Sequence, residues 1–369
     1  MRSFDEIFED KTKYGTKIKT SEYKEIGKYA IIDQGQEEIA GYTDLEKGVF
    51  EDVPAIIFGD HTRVIKYVRD PFFLGADGVK ILKCKELNVN YKYLYYALKN
   101  AKIPNTGYNR HFKWLKQIQI EYPSIDKQEK IVKILDKVVM VIEDRRKEIQ
   151  ELDKLIKARF VEMFGDPVNN EKGFVKAPMG DYMTVLTDFS SNGSYKTLDN
   201  GVIMYDELNY AWMVRTTDLE SGDMASIKYI DESAYELLSK SKIFGGEIIM
   251  NKIGSAGKIY LMPQTDMPAS LGRNAFMFRY DERINVKFLY YLLTSDYGQN
   301  EIQQYVRGAV TKTITKSDAR SVRIIVPPIE LQNEFEAFAH QVNKSKVAVQ
   351  KALDEAQLLF DSLMQEYFG

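Results

Sequence analysis

Cysteine occurs once in the 369 residues, at Cys84, so the fold cannot be closed by an intrachain disulfide. Histidine occurs three times, at His61, His111 and His340, in separate stretches and with no cysteine cluster nearby, which leaves a zinc site little support. No apolar run approaches the length of a membrane span. The N-terminal stretch MRSFDEIFED carries acids where a signal peptide would carry bases and an apolar core, so a cytoplasmic location is expected. A basic surplus is also missing. The formal net charge of −3 excludes a diffuse basic coat, so any contact with nucleic acid must be local.

What is present begins with Asp126 to Phe164. Its apolar positions Ile131, Leu135, Val138, Ile142, Ile149, Leu152 and Ile156 alternate spacings of four and three, a heptad seam narrower than the face of an ordinary core helix. Asp126 with Glu129 predicts a capping box, and Gly165-Asp166-Pro167 predicts the stop. At ~1.5 Å per residue such a helix is on the order of 58 Å long and needs a partner. A shift of 204 positions supplies it. Pro123-Ser124-Ile125-Asp126-Lys127-Gln128 falls on Pro327-Pro328-Ile329-Glu330-Leu331-Gln332, and the match runs without a gap to Gly165 on Gly369. The second seam reads Phe335, Ala339, Val342, Val349, Leu353, Ala356 and Phe360. One polar residue interrupts each seam, and Lys346 in the second reads as the counterpart of Arg145 in the first, which suggests a fixed register.

Between the helices lie two units that repeat one another more faintly. Asn90-Tyr91-Lys92-Tyr93-Leu94-Tyr95-Tyr96 resembles Asn285-Val286-Lys287-Phe288-Leu289-Tyr290-Tyr291, a short helix in each. The strand-like Ala55 to Phe58 corresponds to Glu247 to Met250, and Val79 to Leu82 to Ala275 to Phe278. Both units read as mixed α+β, so the chain divides as 1–122, helix 123–165, 166–326 and helix 327–369, a tandem duplication with two antiparallel coiled-coil helices and pseudo-twofold symmetry. Charge divides too. Residues 1–122 carry 20 basic and 18 acidic side chains, 123–165 carry 10 and 9, 166–326 carry 18 and 20, and 327–369 carry 3 and 7, which makes the second helix a protein-docking surface rather than a DNA binder.

The run LDKLIKARFVEMFGDP at 152–167, with PSIDKQEKIV and PPIELQNEF at the two helix starts, is similar to the conserved regions of type I restriction-modification specificity subunits. VPAIIFGDHTRVIKYV at 53–68 and EIIMNKIGSAGKIYLM at 247–262 resemble strand–loop–strand segments of that family's target-recognition domains. The resemblance covers essentially the whole chain. One departure is that the second unit is nine residues longer between Tyr291 and Ile324 than the first between Tyr96 and Ile120, so the loops there do not superpose residue by residue. The resemblance implies a non-catalytic subunit in which each recognition domain reads one half of a bipartite site on double-stranded DNA, while the helices set an unread spacer. It implies two methyltransferase subunits and restriction-translocase subunits as partners, with no membrane. No cofactor is expected on this chain, whereas the assembled complex would use S-adenosylmethionine, ATP and Mg.

Intrinsic chemistry finds little footing. Asp70-Pro71-Phe72-Phe73 lacks the second proline of the amino-methyltransferase tetrapeptide, and no glycine-rich S-adenosylmethionine loop is present. Gly254-Ser255-Ala256-Gly257-Lys258 has no glycine five before Gly257 and has Ile259 where a phosphate loop needs Ser or Thr, so it reads as a tight loop between strands. Asp10 with Glu22-Tyr23-Lys24 meets only a loose nuclease pattern. DNA contacts are expected from basic, aromatic and amide side chains on loops, because phosphates take Lys and Arg while base edges take Arg, Asn, Gln, Ser and Thr. In the first domain these are Lys11, Lys13, Tyr14, Lys17 and Lys19, then His61, Thr62 and Arg63, then Asn105, Tyr108, Asn109, Arg110 and His111. In the second they are Asn192, Ser194, Tyr195, Lys196, Arg215, Thr216, Lys252, Ser255, Lys258, Arg273, Asn274, Arg307, Thr311, Lys312 and Thr313. The loops 105–111 and 307–313 are favoured as clusters, since each precedes the last strand of its unit. The competing reading is a non-DNA adaptor whose helices scaffold other proteins, which the mild acidity favours slightly.

Overall fold

A computed structural model describes residues 1–75, 77–107 and 109–369. Two helices of 40 residues each, Ile125–Phe164 and Ile329–Phe368, carry the repeated sequence. The first is capped two residues before the Asp126 of the expected capping box. The Ser124 carbonyl accepts from the Lys127 and Gln128 amides at 3.0 Å, so Ser124, not Asp126, stands at the helix start. The stop is as expected, with Gly165 at φ +70 and its amide on the Val161 carbonyl at 2.7 Å. No helix among the described residues is long and apolar enough to cross a membrane.

The chain forms two compact units, one of residues 1–149 with 348–369, the other of residues 150–347, so each unit holds half of each long helix. In the first unit a four-stranded antiparallel sheet runs in the order Phe8–Asp10, Val79–Cys84, Ala55–Gly59, Ile65–Val68. A second sheet sets Tyr29–Ile32 between Gly41–Thr43, antiparallel, and Phe72–Leu74, parallel. Arg2–Ser3 pairs with Gln119–Ile120 and closes the domain on itself. Helix Tyr91–Lys99 begins at Asn90, whose side chain accepts from the amides of Lys92 and Tyr93.

The second unit repeats this sheet by sheet. Met183–Asp188, Ala275–Tyr280, Ile248–Asn251 and Ile259–Leu261 form the four-stranded antiparallel sheet. Ala211–Val214 lies between Lys228–Ile230, antiparallel, and Ala269–Leu271, parallel, with Lys242–Ile243 added at the edge. Val175–Pro178 pairs with Arg323–Val326 as the closing strands, and helix Val286–Thr294 begins at Asn285 as its counterpart does at Asn90. The parallel pair in each unit joins strands some forty to sixty residues apart, which no local sequence pattern announces.

Within each unit the two half-helices run antiparallel. In the first, Ile131, Leu135 and Ile142 share a core with Ala356 and Phe360. In the second, the Phe160 and Phe164 rings lie 5.3 and 5.6 Å from Phe335, while Lys346 reaches Asp153 at 2.7 Å. Every seam residue is buried or half-buried, with Val138, Ile149, Leu152, Val349 and Leu353 in the half-buried class. Two sequence expectations need correction. The interruptions are not equivalent: the 204 shift sets Lys346 on Ile142 and Arg145 on Val349, and Arg145 pairs with Glu148 of its own helix, whereas Lys346 crosses to the other. Nor is the apolar face a bare seam at the helix ends. Val132, Phe160, Met163, Phe164 and Met364 are also buried, because the domain core packs there as well. The Phe164 ring lies tilted against Phe288 at 4.7 Å, and its repeat partner Phe368 meets Tyr93 at 5.2 Å. The fully buried Phe164 and Phe288 side chains are each worth roughly 1.5–3 kcal/mol of transfer free energy.

One polar pair fixes each helix to its domain. The buried Gln128 amide accepts from the Asn90 backbone at 3.0 Å and donates to the Pro123 carbonyl at 3.0 Å. Gln332 does the same with Asn285 at 2.9 Å and Pro327 at 2.7 Å, and adds the Arg283 carbonyl at 3.1 Å.

Candidate nucleic-acid interface

In each unit the loops that carry the expected contacts leave one end of the two larger sheets. In the second unit, Asp188, Val214, Asn251 and Leu271 end their strands there, while Ala275 begins its own, as the pairings Asp188 with Phe276, Asn251 with Ala275 and Val214 with Leu271 require. Backbone bonds then stitch the loops together. The Lys252 amide donates to Asn274, the Gly254 amide to Lys312 and the Ile314 amide to Lys252, at 2.7, 2.9 and 3.1 Å. Arg307 and Thr313 exchange both backbone bonds, at 2.9 and 2.8 Å, around Gly308 at φ +105, which makes 307–313 a tight tongue. Thr311, Lys312 and Thr313 are exposed on it, and the exposed Arg307 guanidinium reaches Asp318 at 3.1 Å.

Beside that tongue lies a cavity of about 400 Å³ lined by Arg215, Thr216, Ser255, Arg273 and Asn274 among others. Arg273 is held over the Phe189 ring at 4.7 Å and the exposed Tyr195 ring at 5.6 Å, and it pairs with Asp199. Arg215 is tethered to Asp218 at 3.0 Å through Nε and to the Ser226 carbonyl at 2.8 Å. Lys258 pairs with Glu220, whose other oxygen accepts from Tyr260 at 3.0 Å. Ser194 accepts from the Thr197 amide at the start of helix Tyr195–Gly201, and Lys196 is exposed on its first turn. Asn192 is spent inside the loop. Its amide donates to the Phe189 carbonyl and Ser241 and accepts from the Lys240 amide, so it supports the surface rather than forming it.

In the first unit the matching end gathers residues 11–17, 33–37, 59–64, 103–107 and 109–111. Gln34 is the hub, accepting from the His61 amide, donating to Asp77 at 2.9 Å and receiving the Thr62 hydroxyl on its carbonyl at 2.7 Å. Arg63, at φ +63, reaches the Ile103 carbonyl at 3.3 Å. His111 is fully buried, with Nδ1 3.0 Å from the Asp60 carbonyl and Nε2 beside Thr106, so it ties two loops together and leaves the list of surface contacts. Asn105 and Asn109 hydrogen-bond within their own loop, and Arg110 is exposed. Lys11 and Lys13 lie over the Tyr14 ring at 5.5 and 4.8 Å, Lys17 pairs with Asp77, and Lys19 is exposed. Tyr108 lies outside the described residues.

The loose nuclease pattern does not assemble. Asp10 is engaged by Lys80 at 2.9 Å and by Thr12, whereas the Glu22 carboxylate accepts from the Lys19 amide. Among the described residues, no three His, Cys, Asp or Glu side chains stand close enough to hold a metal. Sequence reasoning missed Asp188, Lys316 and Gln34. Lys316 was readable only from the capping pattern Thr315 to Asp318 that opens its short helix.

The family model described as the type I restriction modification DNA specificity domain matches residues 1–154 and 177–356, and the chain belongs to that family. It is 25% identical over 291 residues to the type I restriction enzyme MjaVIII specificity subunit of Methanocaldococcus jannaschii, covering 70% of this chain and 66% of that protein. It is 26% identical over 142 residues to the EcoR124I/EcoR124II specificity subunit of Escherichia coli, covering 37% and 35%. The matches thus span between about a third and just under two thirds of these relatives' lengths. In fold, the chain is similar over its whole length to the crystal structure of a type I restriction-modification S subunit from M. genitalium, with TM-score 0.62, 17% identity and 95% of that chain covered.

Proposed function

We propose that this chain is the DNA sequence-specificity subunit of a type I restriction-modification complex, in which residues 1–122 read one half of a bipartite site and residues 166–326 the other. The observation that carries the reading is that two duplicated domains each gather polar, basic and amide-bearing loops at the same end of the same sheets. The helices 123–165 and 327–369 fix the unread spacer and dock two methyltransferase subunits. The acid surplus on the second helix makes it a protein-facing surface rather than a phosphate-facing one. Chemistry belongs to the partners: methylation of a flipped adenine from S-adenosylmethionine, and ATP- and Mg-dependent translocation and cleavage by the restriction subunits. The setting is the bacterial or archaeal cytoplasm.

Methylation mapped across the host genome, with and without this gene, tests the reading. A bipartite methylated motif that vanishes with the gene is the expected result. An unchanged methylome, together with binding to random duplex that shows no salt dependence, would favour the adaptor instead.

A further inference from the structure

We infer that Lys252 and Lys316 form a seat for one backbone phosphate of the DNA, with Asp188 as the positioning residue that holds both ammonium groups at the mouth of the second domain's reading surface. The inference rests on the reading of the chain as a DNA-specificity subunit.

Asp188 ends the edge strand Met183–Asp188, and its side chain is 7% exposed. Its Oδ1 accepts from Lys316 at 2.8 Å and Ser191 at 2.6 Å, and its Oδ2 from Lys252 at 2.9 Å and Ser190 at 2.8 Å. Each oxygen thus receives two donors, which fills the acceptor capacity of a carboxylate and leaves no lone pair aimed at solvent. Burial alone would raise its pKa, but the hydrogen bonds from Lys316, Ser191, Lys252 and Ser190 outweigh it and hold the carboxyl well below the usual range.

The lysines are less enclosed, at 25% and 35% side-chain exposure. Lys252 gives one of its three donor hydrogens to Asp188, and Lys316 gives one to Asp188 and one to Ser191 at 2.6 Å, so donors remain on both. Two cations on one saturated carboxylate leave a net positive site. It faces a hollow of about 490 Å³ whose walls include Ser190, Thr313 and Thr315. A compact point charge with free hydrogens suits a phosphate oxygen, whereas the forked geometry that reads guanine belongs to arginine. The backbone ties of Lys252 to Asn274 and Ile314 then place the seat in register with the loops 273–274 and 307–313. A simpler version recurs in the first domain. Asp10 ends the corresponding edge strand and accepts from Lys80 at 2.9 Å and from Thr12.

The test is the salt dependence of DNA binding by the full chain assembled with its cognate methyltransferase subunit, on a duplex that carries the methylated motif. Lys316→Gln should lower the slope of log K against log salt by about one, as the loss of a single phosphate contact does, and leave the methylated motif unchanged. Lys316→Arg should keep the parent slope. A parent slope in Lys316→Gln, with or without a drop in melting temperature, would reduce the lysine to an internal tether and overturn the seat; so would a Lys316→Arg slope as low as that of Lys316→Gln. Should Lys316→Gln fail to fold, Lys252→Gln is read by the same criteria. An assembled parent complex that binds no DNA would sink the underlying reading instead, and is told apart because it needs no variant.

Discussion

Gln332 shows how much one side chain can hold at the join between a long helix and its domain. It is fully buried and satisfies the Asn285 amide and the Pro327 and Arg283 carbonyls at once. Gln332→Ala strands these groups and should cost ~1–3 kcal/mol in urea unfolding, with Gln128→Ala, which strands one carbonyl fewer, costing no more. Unfolding curves that coincide with the parent would refute the role. Both glutamines sit in the repeated motifs and were legible as repeated, but nothing local showed that they reach back to Asn90 and Asn285. Asp188 gives a pH signature. Its depressed folded pKa means that its contribution is fully present above the ordinary carboxylate pKa of about 4 and is lost as pH falls from there toward the folded value. The stability gap between parent and Asp188→Asn should therefore stay level from neutral pH to about pH 5 and close below about pH 4. A gap that widens with acid would contradict the ion-pair account.

Among the elements, the seam was read from period alone and the helices run where it placed them, since alternating four and three spacing has few other physical causes. What period could not show was the second apolar face at Phe160, Met163, Phe164 and Met364, because that face answers to domain cores built from distant sequence. The loop clusters were legible by composition, whereas the fate of His111 and Asn192 depended on neighbours that only folding supplies. Burial now grades the seam. Ile142→Asp puts a charge at a buried position and should destabilise by several kcal/mol, while Leu152→Asp, at a half-buried one, should cost less. Melting followed by circular dichroism checks the order, and a reversed order would show that the interface tightens where the side chains look more open.

At the scale of the molecule, duplication implies exchange. In the second unit Val175–Pro178 and Arg323–Val326 pair with each other and, among the described residues, with no other strand, so the chain enters and leaves the domain side by side. Replacing residues 172–326 by the corresponding domain of another such subunit should change half of the methylated motif and leave the other half and the spacer as they were. Methylation mapping that showed both halves altered, or neither, would refute the assignment of one domain to one half-site. The same pairing has a mechanical side. Its first rung, Val175 with Val326, is the one nearest in sequence to both long helices. Tension applied through the helices would meet the four rungs in series, as a zip is opened, instead of loading them together in shear. The closure would therefore yield to a modest pull however well the domain resists heat.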